Sequence, residues 1–431
     1  MRIKVIGAGL AGCEAAYRLA EAGLAVELYE MKPQRYSPAH KSPLFAELVC
    51  SNSLKAKRFN SAAGLLKWEM RQLGSVCVES ALKCAVPAGG ALAVDRDEFS
   101  KIITEKVKNH SNITVINEEV TKIDPECYTV IATGPLTDGA LAENIKTLCG
   151  EEYLNFFDAA APIITADSID TAKVFSASRY GRGEGDDYIN CPFNKQEYEA
   201  FHSQLVTAER AKLHDADTSL KVYEGCMPIE VLAARGIDAA RFGPMKPVGL
   251  CDPNTGHRPW AVVQLRKENR EGTLYNLVGF QTNLKFAEQK RVFSMIPGLE
   301  NAEFVRYGVM HRNSFLNSPK LLKYDFSLLK FPKIFFAGQI SGVEGYMESA
   351  ASGIVAALGI IKSIKGENSV KFPDYTMIGA LSSYISNSET SDFQPMGANF
   401  GILPPLPEKI KDKQARYLAL AERSAKWFKH N

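Results

Sequence analysis

A chain of 431 residues is too long for one ordinary core, and its 45% hydrophobic and 23% charged residues have the balance of a globular protein, so two or three domains are expected. A formal charge of +2 at pH 7 excludes a grossly basic nucleic-acid coat but leaves room for a local basic patch. Nine cysteines without CxxC or CxxH spacing exclude a zinc pattern and a disulfide framework, and most of them are expected as small buried hydrophobes. The first strand starts at once, which leaves no room for a signal peptide. The most apolar helical stretch, Gly353 to Ile361, is short and broken by small residues. No membrane span is expected, and the location expected is the cytoplasm.

The first thirty residues read as a βαβ unit: an apolar run from Arg2, a turn through Gly7, Ala8, Gly9, Leu10, Ala11 and Gly12, an alanine-rich helix, and a second apolar run ending in Glu30. Gly7 allows the tight turn, Gly9 lets the backbone approach a pyrophosphate, and Gly12 lets the helix pack on the sheet. The pyrophosphate would rest on free N–H groups at the helix start near Leu10. Glu30, eighteen positions past Gly12, is placed to accept hydrogen bonds from ribose hydroxyls and disfavours a 2′-phosphate. A glycine-rich turn alone is a weak signal. With strand, helix and acid all present the unit implies a dinucleotide, whose identity these residues leave open.

Residues 31–60 carry Lys32, Arg35, Lys41, Lys55, Lys57 and Arg58 and read as a long functional loop rather than a strand. Residues 61–73 have helical apolar spacing, an amphipathic helix runs to about Asn109, and a strand follows at Ile113 to Ile116. A further strand at Tyr128 to Ala132 ends in Thr133-Gly134, a return to the nucleotide sheet that passes close to the cofactor. From about Gly150 to Ser318 single strands and polar turns replace the alternation, which implies an inserted domain carrying substrate contacts. Gly181-Arg-Gly-Glu-Gly185 lies in that stretch without a leading strand and is not read as a second nucleotide loop.

The sheet resumes with Phe331-Pro-Lys-Ile-Phe-Phe-Ala-Gly338-Gln339-Ile-Ser-Gly342, a strand followed by a glycine turn, and Gly345 to Gly359, a small-residue helix. Ordinary packing would account for this stretch taken alone. With the opening motif it favours FAD, because an NAD enzyme usually completes its site locally, whereas FAD proteins bring a late helix N-terminus to the flavin. Gly338, Gln339, Gly342 and Tyr346 are therefore cofactor candidates. The C-terminal stretch 395–407 is extended and leads into a helix, Lys409 to Lys429, whose Lys and Arg stripe is either a solvated face or a phosphate contact.

Several segments together resemble a known family: Gly7-Ala-Gly-Leu-Ala-Gly12, Glu47-Leu-Val-Cys-Ser-Asn-Ser53, Tyr223-Glu-Gly-Cys-Met-Pro-Ile-Glu230, Phe242-Gly-Pro-Met-Lys-Pro-Val-Gly249, Val278-Gly-Phe-Gln-Thr-Asn283, Met310-His-Arg-Asn313 and Phe336-Ala-Gly-Gln-Ile-Ser-Gly-Val-Glu-Gly345. The chain is similar, over essentially its whole length, to the folate- and FAD-dependent methyltransferases that make 5-methyluridine in RNA, usually in the T-loop of tRNA. Gly397 departs from the family's pattern, where a larger polar residue is expected.

The resemblance implies an α/β architecture: a Rossmann-like FAD-binding domain of the glutathione-reductase-like flavoprotein type with an inserted α+β domain. The boundaries expected are 1–150 and 321–375 for the FAD domain, 151–320 for the insertion, and 376–431 for the C-terminal segment. It also implies a one-carbon unit from 5,10-methylenetetrahydrofolate, delivered by way of FAD, with NADPH or NADH as reductant. RNA would be the partner, tRNA by preference and 23S rRNA as the alternative. A flavin oxidoreductase acting on a small molecule, and a non-catalytic RNA-binding flavoprotein, are the readings from other classes.

Uracil C5 becomes nucleophilic only after a thiolate adds to C6, so such an enzyme needs a cysteine. Of the nine, Cys226 and Cys50 lie in the matching motifs. Cys226 precedes Met227-Pro228, which suits a helix start and a lowered thiol pKa, and it is the expected nucleophile. Cys50 precedes cap-type residues Ser51-Asn-Ser53 in the basic loop, and it is the expected base for the C5 proton or the other thiol's protector. Which of the two attacks stays open. Gln281, Arg312, Asn313 and Tyr346 are softer candidates for facing flavin, folate or uracil.

Overall fold

The computed structural model describes residues 2–150, 153–211, 227–390 and 393–430. At its centre is a five-stranded sheet in the order Ile334–Phe336, Thr129–Ile131, Arg2–Ile6, Ala25–Tyr29, Ile113–Ile116. Every pairing in it is parallel. Ile3, Val5, Leu28, Val130, Ile131 and Phe336 are fully buried, as a parallel sheet covered on both faces requires. The strand order reverses beside Arg2–Ile6, and a ligand crevice belongs at such a switch point, at the carboxyl ends of the strands.

The helices that cover this sheet start where their caps place them. Ser61 accepts the Gly64 N–H and opens the helix Ala62–Gln72; Asp95 accepts the Glu98 N–H and opens Arg96–Lys108. The late helix Tyr346–Ile364 is longer than expected. At 19 residues it is long and apolar enough to cross a membrane by length and composition, yet most of it is buried in the core. It packs on the helix Leu10–Glu21 so closely that a Cβ on Gly353 would collide with the carbonyl of Ala11.

The stretch expected as loop from 31 to 60 contains a strand. Ser53–Ala56 pairs antiparallel with Ala91–Val94, which also pairs with Ala85–Val86. Its basic residues are partly structural as well: Lys32 is buried, and Lys55 pairs with the buried Glu348 at 2.8 Å.

The insertion is a six-stranded antiparallel sheet in the order Phe175–Ser176, Tyr188–Phe193, Ala261–Lys267, Leu274–Leu277, Ile163–Thr165, Phe304–Arg306. A separate core of Cys191, Phe193, Phe201, Phe280 and Phe293 fills the space between this sheet and its helices. The strands Tyr153–Ala159 and Met310–Leu316 pair with each other, so the chain enters and leaves the insertion through one two-stranded ribbon. Gly181–Gly185 forms a turn whose Gly183 lies against Asp187.

Three buried acids serve as helix caps or loop anchors. Glu14 accepts from Ser75 and from the N–H groups of Val76 and Cys77. Glu230 accepts from Thr282 and Asn283. Glu69 accepts the Met377 and Ile378 N–H groups at 2.7 and 2.8 Å and the Ser424 hydroxyl at 2.6 Å, which joins the helix Ala62–Gln72 to both C-terminal helices. Arg423, on the stripe expected as a solvated face or a phosphate contact, donates to the carbonyls of Pro404 and Pro405.

Burial pushes the Glu69 carboxyl up to about 7, against the pull of its three donors. A pKa raised on folding contributes stability below the group's ordinary range and loses it as pH rises through 7. The melting temperature of the wild type is therefore expected to fall between pH 5 and pH 8 more steeply than that of Glu69→Gln. The difference should be a few degrees at most, since about 1 kcal/mol amounts to roughly 1 °C in a chain of this size. Equal slopes in differential scanning calorimetry would refute the assignment.

Candidate active site

The first strand ends at Ile6, and Gly7 turns the chain with φ +96° directly against Ala132. A Cβ on Gly12 would strike the Gly7 carbonyl, so that glycine serves the close contact between helix and strand. Gly9 is different. It caps the helix with φ −73° and no side-chain cap bond, and a Cβ there would meet nothing within 4 Å. The helix therefore presents first-turn N–H groups beside open space, a cradle of the kind that receives a diphosphate.

Glu30, buried at the end of the second strand, accepts the Ala8 N–H at 2.7 Å and the Lys32 N–H at 3.0 Å. Each of its oxygens keeps a second lone pair for a ribose hydroxyl. From the other side come Thr133 and Gly134, the latter at φ +77° with nothing within 4 Å of the place a Cβ would take. The late chain adds Gly338 at φ +85°, whose N–H donates to Ser352 at 2.7 Å, and Gln339, which donates to Glu344 at 2.6 Å.

These groups line one elongated cavity. It begins at Gly7–Ala11 and Glu30, passes Thr133 and Gly134, and reaches Gly338, Gln339, Asn313, Tyr346 and Cys50. Gly12 and Gly342 are not on its wall: the first packs against the strand turn, and a Cβ on Gly342 would run into Phe393. Gly342, expected as a cofactor residue, packs beside Phe393. Gly397, the departure from the family pattern, has a local reason too, since a Cβ there would press on the Glu344 carbonyl at 3.0 Å.

Cys50 is held by backbone. Its N–H donates to the Tyr346 hydroxyl at 2.7 Å, and the Ser51 N–H donates to the same oxygen at 3.2 Å. Burial and the neighbouring Cys50 push the Tyr346 phenol up, so it stays a neutral acceptor. Ser51 and Asn52 do not cap a helix as expected. Arg266 donates to both, at 2.8 and 2.9 Å, and Asn52 donates to the carbonyls of Val94 and Lys267. Arg96 donates to the carbonyls of Leu48 and Val49 and pairs with Glu268 at 2.6 Å. The charges of Arg96 and Arg306 both act on Cys50, the electropositive setting that reactive cysteines occupy.

Cys226 lies outside the described residues, as does the segment 212–226 that carries it. The helix that follows is one turn, Ile229–Ala233, with Pro228 at its cap rather than inside it. The Arg312 side chain is not among those described either, and Gln281 is away from the cavity wall, its carbonyl accepting the Ile229 N–H. Cys13, Cys77, Cys84, Cys149 and Cys191 are buried, and burial pushes every one of these thiols up, Cys84 and Cys149 to about 12. Among the described cysteines only Cys50 lines the cavity.

The sequence did not single out His40 or Glu47 as wall residues. His40 meets Ser37 at 2.6 Å, and burial lowers its pKa against the opposing charge of Glu47. Lys32 fastens the loop above the cavity by donating to the carbonyls of Ser42 and Leu44. The only sequence signal for this loop was its length beside a nucleotide turn.

A parallel sheet with a glycine cradle at its switch point, an acid after the second strand, and a strand and helix returned from the far end of the chain define a Rossmann-like FAD-binding flavoprotein fold. The family described as glucose inhibited division protein A matches residues 2–368, and the chain belongs to it. A relative from Acetivibrio thermocellus, named methylenetetrahydrofolate–tRNA-(uracil-5-)-methyltransferase TrmFO, is 59% identical over 427 residues, covering 99% of this chain and 98% of its own. A relative of the same name from Halalkalibacterium halodurans is 57% identical over 422 residues, covering 98% and 96%. Two crystal forms of GidA from Aquifex aeolicus match with TM-scores of 0.69 and 0.70 at 16% and 15% identity, covering 100% of this chain and 73% and 75% of theirs. At that identity they speak to the fold alone. The resemblance read from the motifs agrees with the relatives' names.

Gly9→Val separates folding from cofactor binding. Its backbone accepts a side chain and no protein atom stands in the way, so the variant is expected to melt like the wild type while its cradle is filled. Visible absorbance of the purified protein should show flavin content reduced at least about tenfold, the loss of one or two hydrogen bonds to a charged group. Full flavin content in a folded Gly9→Val protein would place the diphosphate elsewhere.

Proposed function

We propose that this chain methylates C5 of a uridine in tRNA, using FAD, 5,10-methylenetetrahydrofolate and NADPH or NADH, in the cytoplasm. The observation that carries the reading is the single cavity that joins the glycine cradle and Glu30 to Cys50 and Tyr346. Near full-length relatives carry the name of this activity, and tRNA is preferred to rRNA because that name specifies it.

The residues divide the work. Gly9, Leu10 and Ala11 would hold the diphosphate and Glu30 the ribose, with Thr133, Gly134, Gly338 and Gln339 along the remaining length. FAD, when bound, supplies the carrier for the one-carbon unit and the electrons that reduce it. The Cys226 thiolate adds to uracil C6 and makes C5 nucleophilic. After C5 has taken the one-carbon unit, Cys50 removes the C5 proton as that unit parts from its carrier, the electrons that FAD would supply complete the methyl group, and the Cys226 thiolate leaves C6 as the ring double bond returns. The positive charges of Arg96 and Arg306 favour the negative charge of each step at this end of the cavity. The Tyr346 hydroxyl keeps Cys50 in place through two backbone N–H groups.

Mass spectrometry of unmodified tRNA incubated with the protein, the folate and NADPH is expected to find 5-methyluridine. Cys226→Ala and Cys50→Ala should each reduce the product by about 10³-fold or more, as removal of one member of a concerted pair does. Methylation that persists in Cys226→Ala removes the assigned nucleophile, and absence of product with the wild type removes the activity.

A further inference from the structure

Three aromatic rings at the edge of the insertion form a ladder outside the site described above. Phe286 and Tyr307 stack with centroids 4.8 Å apart and planes at 16°; Tyr307 and Phe304 stack at 5.2 Å and 12°. Phe304 leans in turn on Phe293, which is fully buried. The inner end is thus rooted in the insertion core, and the outer ring, Phe286, is 54% exposed. The ladder is held rigidly. Gln289, fully buried on the helix Phe286–Phe293, accepts the Gly308 N–H and donates to the Gly308 carbonyl, both at 2.8 Å, locking that helix to the residue after Tyr307.

Its position joins the two halves of the chemistry. The segments flanking 212–226, which carries Cys226, are fastened just before Phe286: Ala211 donates to the Asn283 carbonyl at 2.8 Å, Lys285 to that of Glu209 at 3.0 Å, and Ile229 to that of Gln281 at 2.7 Å. On the other side Tyr307 follows Arg306, whose guanidinium acts on Cys50, Tyr346 and His40. The ladder is thus joined through the chain to an arginine whose charge reaches Cys50.

The charge around it is not neutralised. Lys285 pairs with Glu209 and Arg291 with Glu288, but among the described residues Arg306, Arg210 and Lys290 have no side-chain partner. The acids whose charge reaches them, Glu268 for Arg306 and Glu230 for Arg210, form no ion pair with them among the described residues. Phe286 and Val305 are the large exposed hydrophobics of this edge, too little apolar surface for a stable contact with a second copy. A flat exposed ring on a rigid stack, beside unpaired cations, matches a nucleobase and its phosphates.

We propose that the Phe286–Tyr307–Phe304 ladder stacks an unpaired base of the substrate RNA adjacent to the target uridine, with Arg306 and Arg210 receiving the neighbouring phosphates. The proposal rests on the methyltransferase reading and names the RNA subsite of that same activity.

The test uses the full chain with FAD bound and unmodified tRNA as probe, comparing wild type, Phe286→Ala, Phe286→Trp and Arg306→Gln. Phe286→Ala is expected to raise KM for tRNA roughly 5- to 150-fold, the range for losing one base–aromatic stack, with a much smaller change in kcat. Phe286→Trp should restore KM, since any flat ring serves. Arg306→Gln should lower the salt dependence of binding by about one unit of slope. Wild-type KM in Phe286→Ala overturns the proposal, as does a loss in Phe286→Ala that Phe286→Trp shares or a change of oligomeric state in either. Should the wild type transfer no methyl, the activity falls. The subsite is then judged by fluorescence anisotropy of tRNA binding, where equal affinities of wild type and Phe286→Ala overturn it.

Discussion

Close backbone contact at the helix Leu10–Glu21 is the constraint on which the rest of the molecule depends. Gly12 lets that helix meet the end of the first strand, and Gly353 lets the late helix meet it at Ala11. Residues more than three hundred positions apart in sequence are thereby brought to one cavity wall, with Gly9 and Gly338 lining the same space. A side chain at either contact would have to move backbone rather than a flexible tip, and the two ends of the cofactor site would separate.

The insertion is tied to this arrangement by a set of polar bonds. Asn52 bonds to the Lys267 carbonyl, Arg266 bonds back to Ser51 and Asn52, and Arg96 reaches from the first body to Glu268. Tyr188 adds a bond to the Ala88 carbonyl at 2.9 Å. All these anchors lie within the segment after Cys50 or beside the strand it pairs with. The position of Cys50 is consequently decided by both bodies together: Tyr346 holds its N–H from below, and Arg266 holds the next two residues from the insertion.

What the sequence made legible follows from the range of the forces involved. The glycine turn and Glu30 are local, each residue having its own steric or hydrogen-bonding reason, and the βαβ unit could be read from them directly. The strand Ser53–Ala56 was missed because its partner Ala91–Val94 lies some thirty-five residues on, and its own basic, serine-rich composition argues for loop. Nothing in the sequence near Lys55 or Arg423 announced their structural roles, because their partners, Glu348 and the carbonyls of Pro404 and Pro405, are remote in the chain. Gly342 sat in a glycine-rich turn that resembled a cofactor loop, and only the fold could reveal that Phe393 occupies the space beside it. Pairings over such distances carry no periodicity and leave no local signature.

The same long-range pairing explains the sign of the field at the catalytic end. Arg96, Arg266 and Arg306 converge there with Glu268 as the acid among them. Arg96 is satisfied by Glu268 and two carbonyls, and Arg266 by Ser51 and Asn52. Arg306 has neither arrangement among the described residues, and burial and the Arg96 charge both hold its pKa below the ordinary arginine range. A half-buried cation left in that state costs free energy in the resting protein, and the cost is offset only when negative charge arrives beside it. In the proposed mechanism negative charge forms in each step assigned to the thiols, first on sulfur and then on the uracil ring. The residues that dock the insertion therefore also supply a field that is already in place before the charge develops.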